Sequence, residues 1–400
     1  MAVEQYGTAA QIVASAAQAG VDATTRVCFF GSAPHEGALN KIISVSSMAE
    51  ARSKLGVEPG DGFSLTEACL AAFNIVGISQ IYCVCVSNSS TYSSAWIGSA
   101  DSETGIYTYE KELRNDPAVC AILCAPGVGD GDFLTALMGE AKHAEGFKAF
   151  VVYDVPFAAD HIGSDGFPDA DEISDDKASL VVDEYADAVW GSAQTVNGDL
   201  VSGAAIRACL LARSDADYNA PARVGGNLPV SGIVGLGYLS GTTVVPIDMR
   251  KSDADALSTN GICTILNRYG SFYSWGDHTS AFVNNTIADE RGRFENTMRI
   301  LMYLNNWFIR AFANYIDENM TPQMKEDILG VVQRKLDNLQ ALSALIGKPI
   351  CQFLPSENPT DSLAQGHFVF SMDGTAPLPV KYLKAKVRYN QSGLSVYTQE

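Results

Sequence analysis

Short apolar runs alternate with amphipathic stretches through the first part of this 400-residue chain, from Arg26 to about position 155. Val27-Cys-Phe-Phe30 reads as a buried strand, closed by the turn residues Gly31-Ser-Ala-Pro34. Ser64-Leu-Thr-Glu67 has the form of a capping box, which opens a helix by matching side chains to free backbone N–H groups. Gly77 follows the apolar face of Ala68, Ala71, Ala72 and Ile75, where a C-terminal glycine belongs. Strands are expected at 80–86, 119–124 and 149–153, with a helix near 133–144. This order implies an α/β layer whose sheet is covered on both faces.

The pattern then loosens. Residues 158–187 are acidic and rich in Gly and Asp, and read as an exposed loop followed by a helix at about 179–190. Ser202-Gly-Ala-Ala-Ile-Arg-Ala-Cys-Leu-Leu-Ala212 reads as a helix and 215–222 as a loop. Residues 236–246 are rich in Gly and Val and suggest short strands in a linker, so a domain boundary is expected there.

Beyond it the chain is more regular. Phe294, Met298, Leu301, Phe308 and Phe312 share one helical face, on a helix decorated by Arg291, Arg293, Arg299 and Arg310. Thr321-Pro322 starts a second helix with the stripe Ile328, Val331, Val332, Leu339, Leu342 and Leu345, stopped by Gly347 and Pro349. Strand patterns close the chain at 366–371, 381–389 and 394–397. In the second of these Leu383, Ala385, Val387 and Tyr389 alternate with Tyr382, Lys384, Lys386 and Arg388. A helical hairpin on a sheet, an α+β core, is the simplest arrangement. By contrast, residues 1–25 are rich in Ala, Gln and Thr and lack the apolar material for a core of their own. They read as a frayed terminus or as an arm ordered only on another subunit.

Composition narrows the partners. The formal net charge is −19, so the chain's own field repels nucleic-acid phosphate and anionic lipid. The opening Met-Ala-Val-Glu-Gln-Tyr has no basic start and no apolar run, and the apolar segments near 118–126 and 148–156 are too short to span a bilayer. Folding in cytoplasm is therefore expected. The nine cysteines include Cys83 and Cys85 on one strand face and Cys120 and Cys124 in another apolar strand. None has the turn-borne spacing of a metal site, so they read as buried free thiols.

Candidate chemistry is sparse. Cys124-Ala-Pro-Gly-Val-Gly-Asp-Gly131 follows a strand and precedes a helix, but it lacks the Gly-Lys-Ser/Thr of a phosphate loop. Asp165-Gly-Phe-Pro-Asp-Ala-Asp-Glu172 fails the spacing of a calcium loop. Asp154 ends a strand, a common place for a catalytic carboxylate, with no nucleophile–base pair suggested beside it. Five histidines are scattered without ligand spacing. Trp275-Gly-Asp-His-Thr279 is the sharpest local motif. It reads either as an Asp277–His278 dyad or as a tight turn in which Trp275 anchors the core and Asp277 bonds to backbone.

Taken in order, these segments resemble the contractile tail sheath proteins of bacteriophages and phage-tail-like particles. The resemblance rests on Val27 to Pro34, the helix before Gly77, the strand at 82–86, Ala125-Pro-Gly127 and Tyr153-Asp-Val-Pro156. It continues through Ser202 to Ala208, Ala212-Arg-Ser-Asp215, Ala220-Pro-Ala222, Leu257 to Leu266, the Trp275 motif and Arg299 to Ile316. The alanine-rich N-terminus departs from the family's Pro-Gly-Val-Tyr opening, and His278 stands where Arg is frequent.

The resemblance implies a multidomain fold: an N-terminal arm at 1–25, outward α/β sheath domains inserted at 26–245, a tube-facing α+β core at 246–390 and a C-terminal arm strand at 391–400. It implies a structural subunit, without enzymatic activity or cofactor, that polymerises around an inner tail tube protein, meets baseplate and tail terminator proteins, and contracts. Assembly in a bacterial host's cytoplasm into a virion tail or tail-like particle is expected, with no nucleic-acid binding and no membrane insertion. Val3, Tyr6, Leu394, Val396 and Tyr397 are the expected arm contacts between subunits. Lys381, Lys384, Lys386 and Arg388 are candidates to pair with an acidic surface of another copy. Two alternatives remain: a cytoplasmic α/β enzyme with a site near Asp154, and a non-contractile tail or tube protein.

Overall fold

The computed structural model describes residues 25–113, 121–142, 146–240 and 243–397. Val3, Tyr6, Cys120 and His143 lie outside them.

The first strand, β1 (Val27–Ser32), is buried along its whole length. It is followed by β2 (Ile42–Val45), α1 (Met48–Leu55) and α2 (Ser64–Cys69). The last of these continues as a wider π-type coil, Leu70–Val76, ended by Gly77 at φ +77°. The expected capping box does not form. The Ser64 hydroxyl instead accepts the Ser32 N–H at 2.9 Å, and Glu67 accepts the Ser202 N–H at 2.8 Å, so both bind other elements. Next come β3 (Ile81–Ser87), α3 (Thr108–Leu113), β4 (Ile122–Ala125), α4 (Gly131–Ala141) and β5 (Phe150–Val155).

The helix expected at 179–190 is absent. Asp169 caps a helix earlier in the chain, α5 (Ala170–Ala178), and Ala186–Trp190 is a buried strand, β6. The chain continues with β7 (Ser192–Thr195), β8 (Leu200–Val201) and α6 (Gly203–Tyr218), then β9 (Pro229–Val230), β10 (Ile233–Ser240) and β11 (Thr243–Ile247). After α7 (Lys251–Thr259) come β12 (Ile262–Arg268), β13 (Ser271–Trp275), α8 (Glu295–Phe312), α9 (Pro322–Ala341), β14 (Ile346–Gln352), α10 (Thr360–Ala364) and β15 (Ser371–Thr375). The second hairpin helix starts as expected, with the Thr321 hydroxyl taking the Met324 N–H and Pro322 at the first helical position.

Nine strands form the main sheet in the order β2-β3-β1-β4-β5-β6-β12-β13-β9. The run β3-β1-β4-β5-β6-β12 is parallel, and the edges are antiparallel. Such parallel strands are buried on both faces and read as unbroken apolar runs. Because β12 pairs with β6, the sheet crosses position 245, where a domain boundary was expected. A four-stranded sheet, β11-β10-β7-β8, forms a side lobe, and β14 and β15 pair alone.

There are two apolar cores. The larger fills the nine-stranded layer, and the smaller lies among α8, α9 and the β14–β15 pair. Helix α8 serves both, with Met298 and Met302 in the first and Ile300, Leu304 and Trp307 in the second. Phe312 and Leu339 are buried, but Leu342 is 48% exposed, because α9 has ended and Ala344 and Leu345 take the inward positions instead. The strand expected at 366–371 is realised only from Ser371. Before it, the Asn358 side chain accepts the Val369 N–H at 2.8 Å in place of a ladder partner.

Candidate assembly surface

The chain's last segment leaves the body at a defined point. Ala376 is buried against the smaller core, and the Pro377 carbonyl accepts the Asn296 side-chain amide at 2.9 Å. The Lys381 ammonium then pairs with the Asp277 carboxylate and lies 5.8 Å over the Phe294 ring. Lys381 is thus engaged within its own chain.

From residue 382 onward the segment is extended and exposed. Leu383 is 85% exposed, Val387 92% and Tyr389 75%. No backbone hydrogen bond joins 378–390 to the rest of the described chain. Lys384, Lys386 and Arg388 form no ion pair among the described residues and alternate along the chain with Leu383, Val387 and Tyr389. The terminal strand expected at 394–397 is instead a 3₁₀ coil, Gln391–Tyr397, since no ladder partner is at hand; Leu394, Val396 and Tyr397 are exposed on it. An apolar, unpaired backbone of this length is a template for strand addition. The nearest sheet, β14–β15, is itself short. Gln333 of α9 covers part of one edge, accepting the Cys351 N–H at 3.0 Å and donating to the Pro349 carbonyl at 3.1 Å. β15 has no second strand partner among the described residues.

The Asp277 turn beneath Lys381 is built for rigidity. Gly276 has φ +102°, and a Cβ there would lie 3.0 Å from Cys263 Cα, so only glycine fits. The His278 ring stacks on Phe282 at 3.8 Å and on Phe294 at 4.9 Å, and its Nδ1 lies 3.1 Å from the Arg293 carbonyl oxygen. His278 Nε2 is 3.9 Å from Asp277, beyond hydrogen-bond reach, so no dyad forms. Trp275 is only half-buried. Its N–H donates to Asp255 at 3.1 Å and its ring lies under Lys251 and Arg268, so it holds α7 rather than the core.

Burial, followed by the charge of Lys381, lowers the His278 pKa from 6.5 to about 4. A base lowered on folding contributes stability that is present above 6.5 and lost as pH falls toward 4, up to about 3 kcal/mol. The ring resonances of His278 should therefore stay those of neutral imidazole from pH 8 down to 5 in an NMR titration. A midpoint near the ordinary histidine value would show that the ring is solvated and the packing wrong.

Asp154 is a structural cap. Its carboxylate accepts the Gly127 N–H at 2.8 Å, the Ala204 N–H at 2.9 Å and the Ser202 hydroxyl at 2.6 Å, and so closes the N-terminus of α6. Burial raises its pKa despite these bonds, and burial together with Asp154 pushes neighbouring Glu67 up to about 8. The cleft beside them measures about 540 Å³ but has no histidine, cysteine, lysine or arginine in its lining.

A buried charge network joins the two cores. Arg207 of α6 donates to Asp187 of β6 at 3.1 Å, to Ser274 of β13 at 2.8 Å and to Glu295, the first residue of α8, at 2.5 Å. Glu295 also accepts the Gly225 N–H. A Cβ at Gly225 would sit 2.5 Å from the guanidinium carbon, so glycine is required for this approach. One turn further along α8, Arg299 pairs with Asp215 of α6, whose carboxylate also accepts the Thr25 hydroxyl at 2.6 Å. The sequence reading missed this network. The available signal was a charge inside the otherwise apolar run Ala204-Ala-Ile-Arg-Ala-Cys-Leu-Leu211.

Comparison with known proteins places this architecture. No family model matches the chain. Over 142 residues it is 30% identical to the tail sheath protein of Burkholderia phage BcepMu, covering 34% of this chain and 28% of that protein. Over 169 residues it is 24% identical to the tail sheath protein of Escherichia phage P2, covering 42% and 40%. These matches thus span less than half of each relative. Among solved structures, the contracted sheath of the extracellular contractile injection system PVC superimposes with a TM-score of 0.71 at 16% identity, over 98% of this chain and 100% of that one. The contracted helical sheath of the anti-feeding prophage gives 0.67 at 13% identity, over 97% and 100%. A sheath tail protein from Listeria innocua gives 0.56 at 11% identity, over 88% and 95%. The chain therefore has the sheath-protein fold, and its sequence relatives are structural tail sheath proteins of phages.

Proposed function

We propose that this chain is the subunit of a contractile tail sheath, which polymerises around an inner tube and contracts to drive that tube through a target cell envelope. The observation that carries the reading is the exposed, unpaired segment at 382–397, extended to residue 390 and coiled beyond it, which bears Leu383, Val387, Tyr389, Leu394, Val396 and Tyr397 on a chain with the sheath fold. It is the part of the molecule that a second copy would order. In this reading Leu394, Val396 and Tyr397, with Val3 and Tyr6 at the other end, add strands to sheets of neighbouring copies. The 3₁₀ coil at Gln391–Tyr397 unwinds as it docks, trading local turns for ladder hydrogen bonds. Lys384, Lys386 and Arg388 meet an acidic surface of that copy, which a chain of net charge −19 amply supplies.

A heterologous contact of this kind propagates as an open helix rather than a closed dimer. The part of 246–390 built on α8, α9 and the β14–β15 pair faces the tube and the nine-stranded α/β layer faces outward, with baseplate and terminator proteins at the two ends. Assembly takes place in the host cytoplasm and ends in a virion tail or tail-like particle. The work of contraction comes from repacking of subunits, so no cofactor, hydrolysis, nucleic acid or membrane insertion is needed. The Asp154 cleft supports no competing enzymatic reading, since its carboxylate is spent on capping α6. Purified protein viewed by negative-stain electron microscopy should form hollow tubes. Monodisperse monomer at micromolar concentration, in both microscopy and sedimentation, would overturn the proposal.

A further inference from the structure

The hairpin of β12 and β13 closes on a two-residue turn. Arg268 pairs with Ser271, and between them Tyr269 and Gly270 have φ +55° and +85°. A turn of this kind needs positive φ at both places, and Asn-Gly is the sequence that fills it at least cost. Glycine stands at the second place, but tyrosine stands at the first, where a bulky side chain in the left-handed region is strained. The fold gains nothing in return, because the Tyr269 ring is 102% exposed. Arg268 beside it donates to the Asn227 side chain at 3.2 Å and lies 5.4 Å from the centre of the Trp275 ring, and neither neutralises its charge. Backbone strain without an internal return points to a partner. Tyrosine and arginine are among the side chains that most often anchor one.

A surface that fits such a tip is present on the same chain. The cleft beside Asp154 measures about 540 Å³, against about 40 Å³ for the cavity where α8 meets the sheet. Phe157 and Tyr238 in its lining stack at 3.9 Å, and Phe157 and Leu239 keep 36% and 60% of their surface exposed. Asp61, Glu67, Asp154 and Asp199 share that lining, with no cation among its residues. Burial and the Asp154 charge hold Glu67 up to about 8, the state of a carboxyl that no cation answers.

We infer that the Arg268–Tyr269 tip seats in this cleft on a second copy of the chain, with the ring on the Phe157–Tyr238 side and the guanidinium among the carboxyl groups. The inference rests on the sheath reading and adds to it a contact between copies that is separate from the tail. A basic, aromatic tip meets an acidic, aromatic cleft, so charge and chemistry match across the contact. Tip and cleft are different patches of one surface, so the contact runs head to tail and extends a helix. One tyrosine buries only about 150–250 Å², well below the roughly 1,000 Å² of a stable interface. The tip therefore acts together with the tail and not alone.

The test uses the full chain. Tyr269→Asn puts the favoured residue into the turn. Below the concentration at which tubes form, this variant should melt no lower than wild type. The concentration needed for tubes should nevertheless rise at least about tenfold, as expected for the loss of one anchor. Arg268→Glu and Asp199→Lys should each raise that concentration too, and the two together should bring it back toward wild type. Benzoylphenylalanine in place of Tyr269 should cross-link two copies on irradiation, with the attachment mapped to the peptides that carry Phe157 or Tyr238. A lower melting point in Tyr269→Asn, tubes formed by it as readily as by wild type, or cross-links confined to other parts of the second copy would overturn the inference and leave the sheath reading standing. Wild-type protein that stays monomeric at every concentration would overturn both.

Discussion

Glu295→Gln should lower the free energy of unfolding by about 3–5 kcal/mol, whereas Asp187→Asn should cost less than about 1 kcal/mol. Both carboxyls are fully buried and both touch Arg207, so a reading based on contacts alone would make them equals. They differ because one guanidinium cannot balance two buried carboxylates. Burial pushes Asp187 well above the usual carboxylate range, and the adjacent Glu295 charge pushes it further. Burial pushes Glu295 up as well, but it is outweighed by Arg207, a hydrogen bond from Asp187, Arg299 and the Gly225 N–H, so Glu295 sits below its ordinary 4.5. Its place at the start of α8 adds the helix dipole to these donors. The fold thus holds its proton on Asp187 and its charge on Glu295.

Asparagine mimics a protonated aspartate; glutamine does not mimic an ionised glutamate and leaves Arg207 uncompensated. The pH dependence follows with opposite signs. Glu295, lowered on folding, contributes stability that is present above 4.5 and lost as pH falls through its folded value. Asp187, raised on folding, contributes stability that is complete below 3.8 and is lost as pH rises through its raised value. Urea midpoints measured from pH 2 to 9 should therefore lose their acid limb in Glu295→Gln and flatten at high pH in Asp187→Asn. Equal losses in the two variants would show that the proton is not placed as described.

The same network explains which parts of the fold were legible in advance. Strands β1, β4 and β5 are buried on both faces, and each opens with an unbroken apolar run, Val27–Phe30, Ile122–Ala125 and Phe150–Tyr153, so the runs announce themselves. Strand β6 carries Asp187 as its second residue, and no local rule says that Arg207, twenty positions on, will hydrogen-bond it; the segment was read as helix instead. Glu295 lies 88 positions from Arg207, so the pairing is a product of topology, not of spacing. Thr321-Pro322 and Gly77 were legible because caps are local chemistry. In Ile346–Gln352, by contrast, Gly347 and Pro349 hid a strand: they were expected to stop α9, but that helix ends earlier, at Ala341, the chain turns at Ser343 with φ +59°, and both residues lie inside β14. The tail is the opposite case. The alternation at 381–389 is a true strand pattern, yet it forms no ladder here, because no strand among the described residues pairs with it.

That missing strand is the basis for the second large effect. A chain ending at Tyr382 should fold normally and fail to form tubes. The cut keeps Asn296 on the Pro377 carbonyl and Lys381 on Asp277, so no buried charge is orphaned. What it removes among the described residues is exposed, and loss of such surface normally changes stability by no more than about 0.5 kcal/mol. The unfolding midpoint and circular dichroism should match the full chain, while microscopy shows monomers. Replacing Lys384, Lys386 and Arg388 together by Glu separates the two parts of the mechanism. If backbone pairing holds the copies and charge steers them, this variant should assemble slowly, and added salt should narrow the difference from wild type, because screening removes repulsion and attraction alike. Tubes of normal yield from the chain ending at Tyr382 would mean that the apolar segment is an unneeded terminus, and that subunits are joined through some other face.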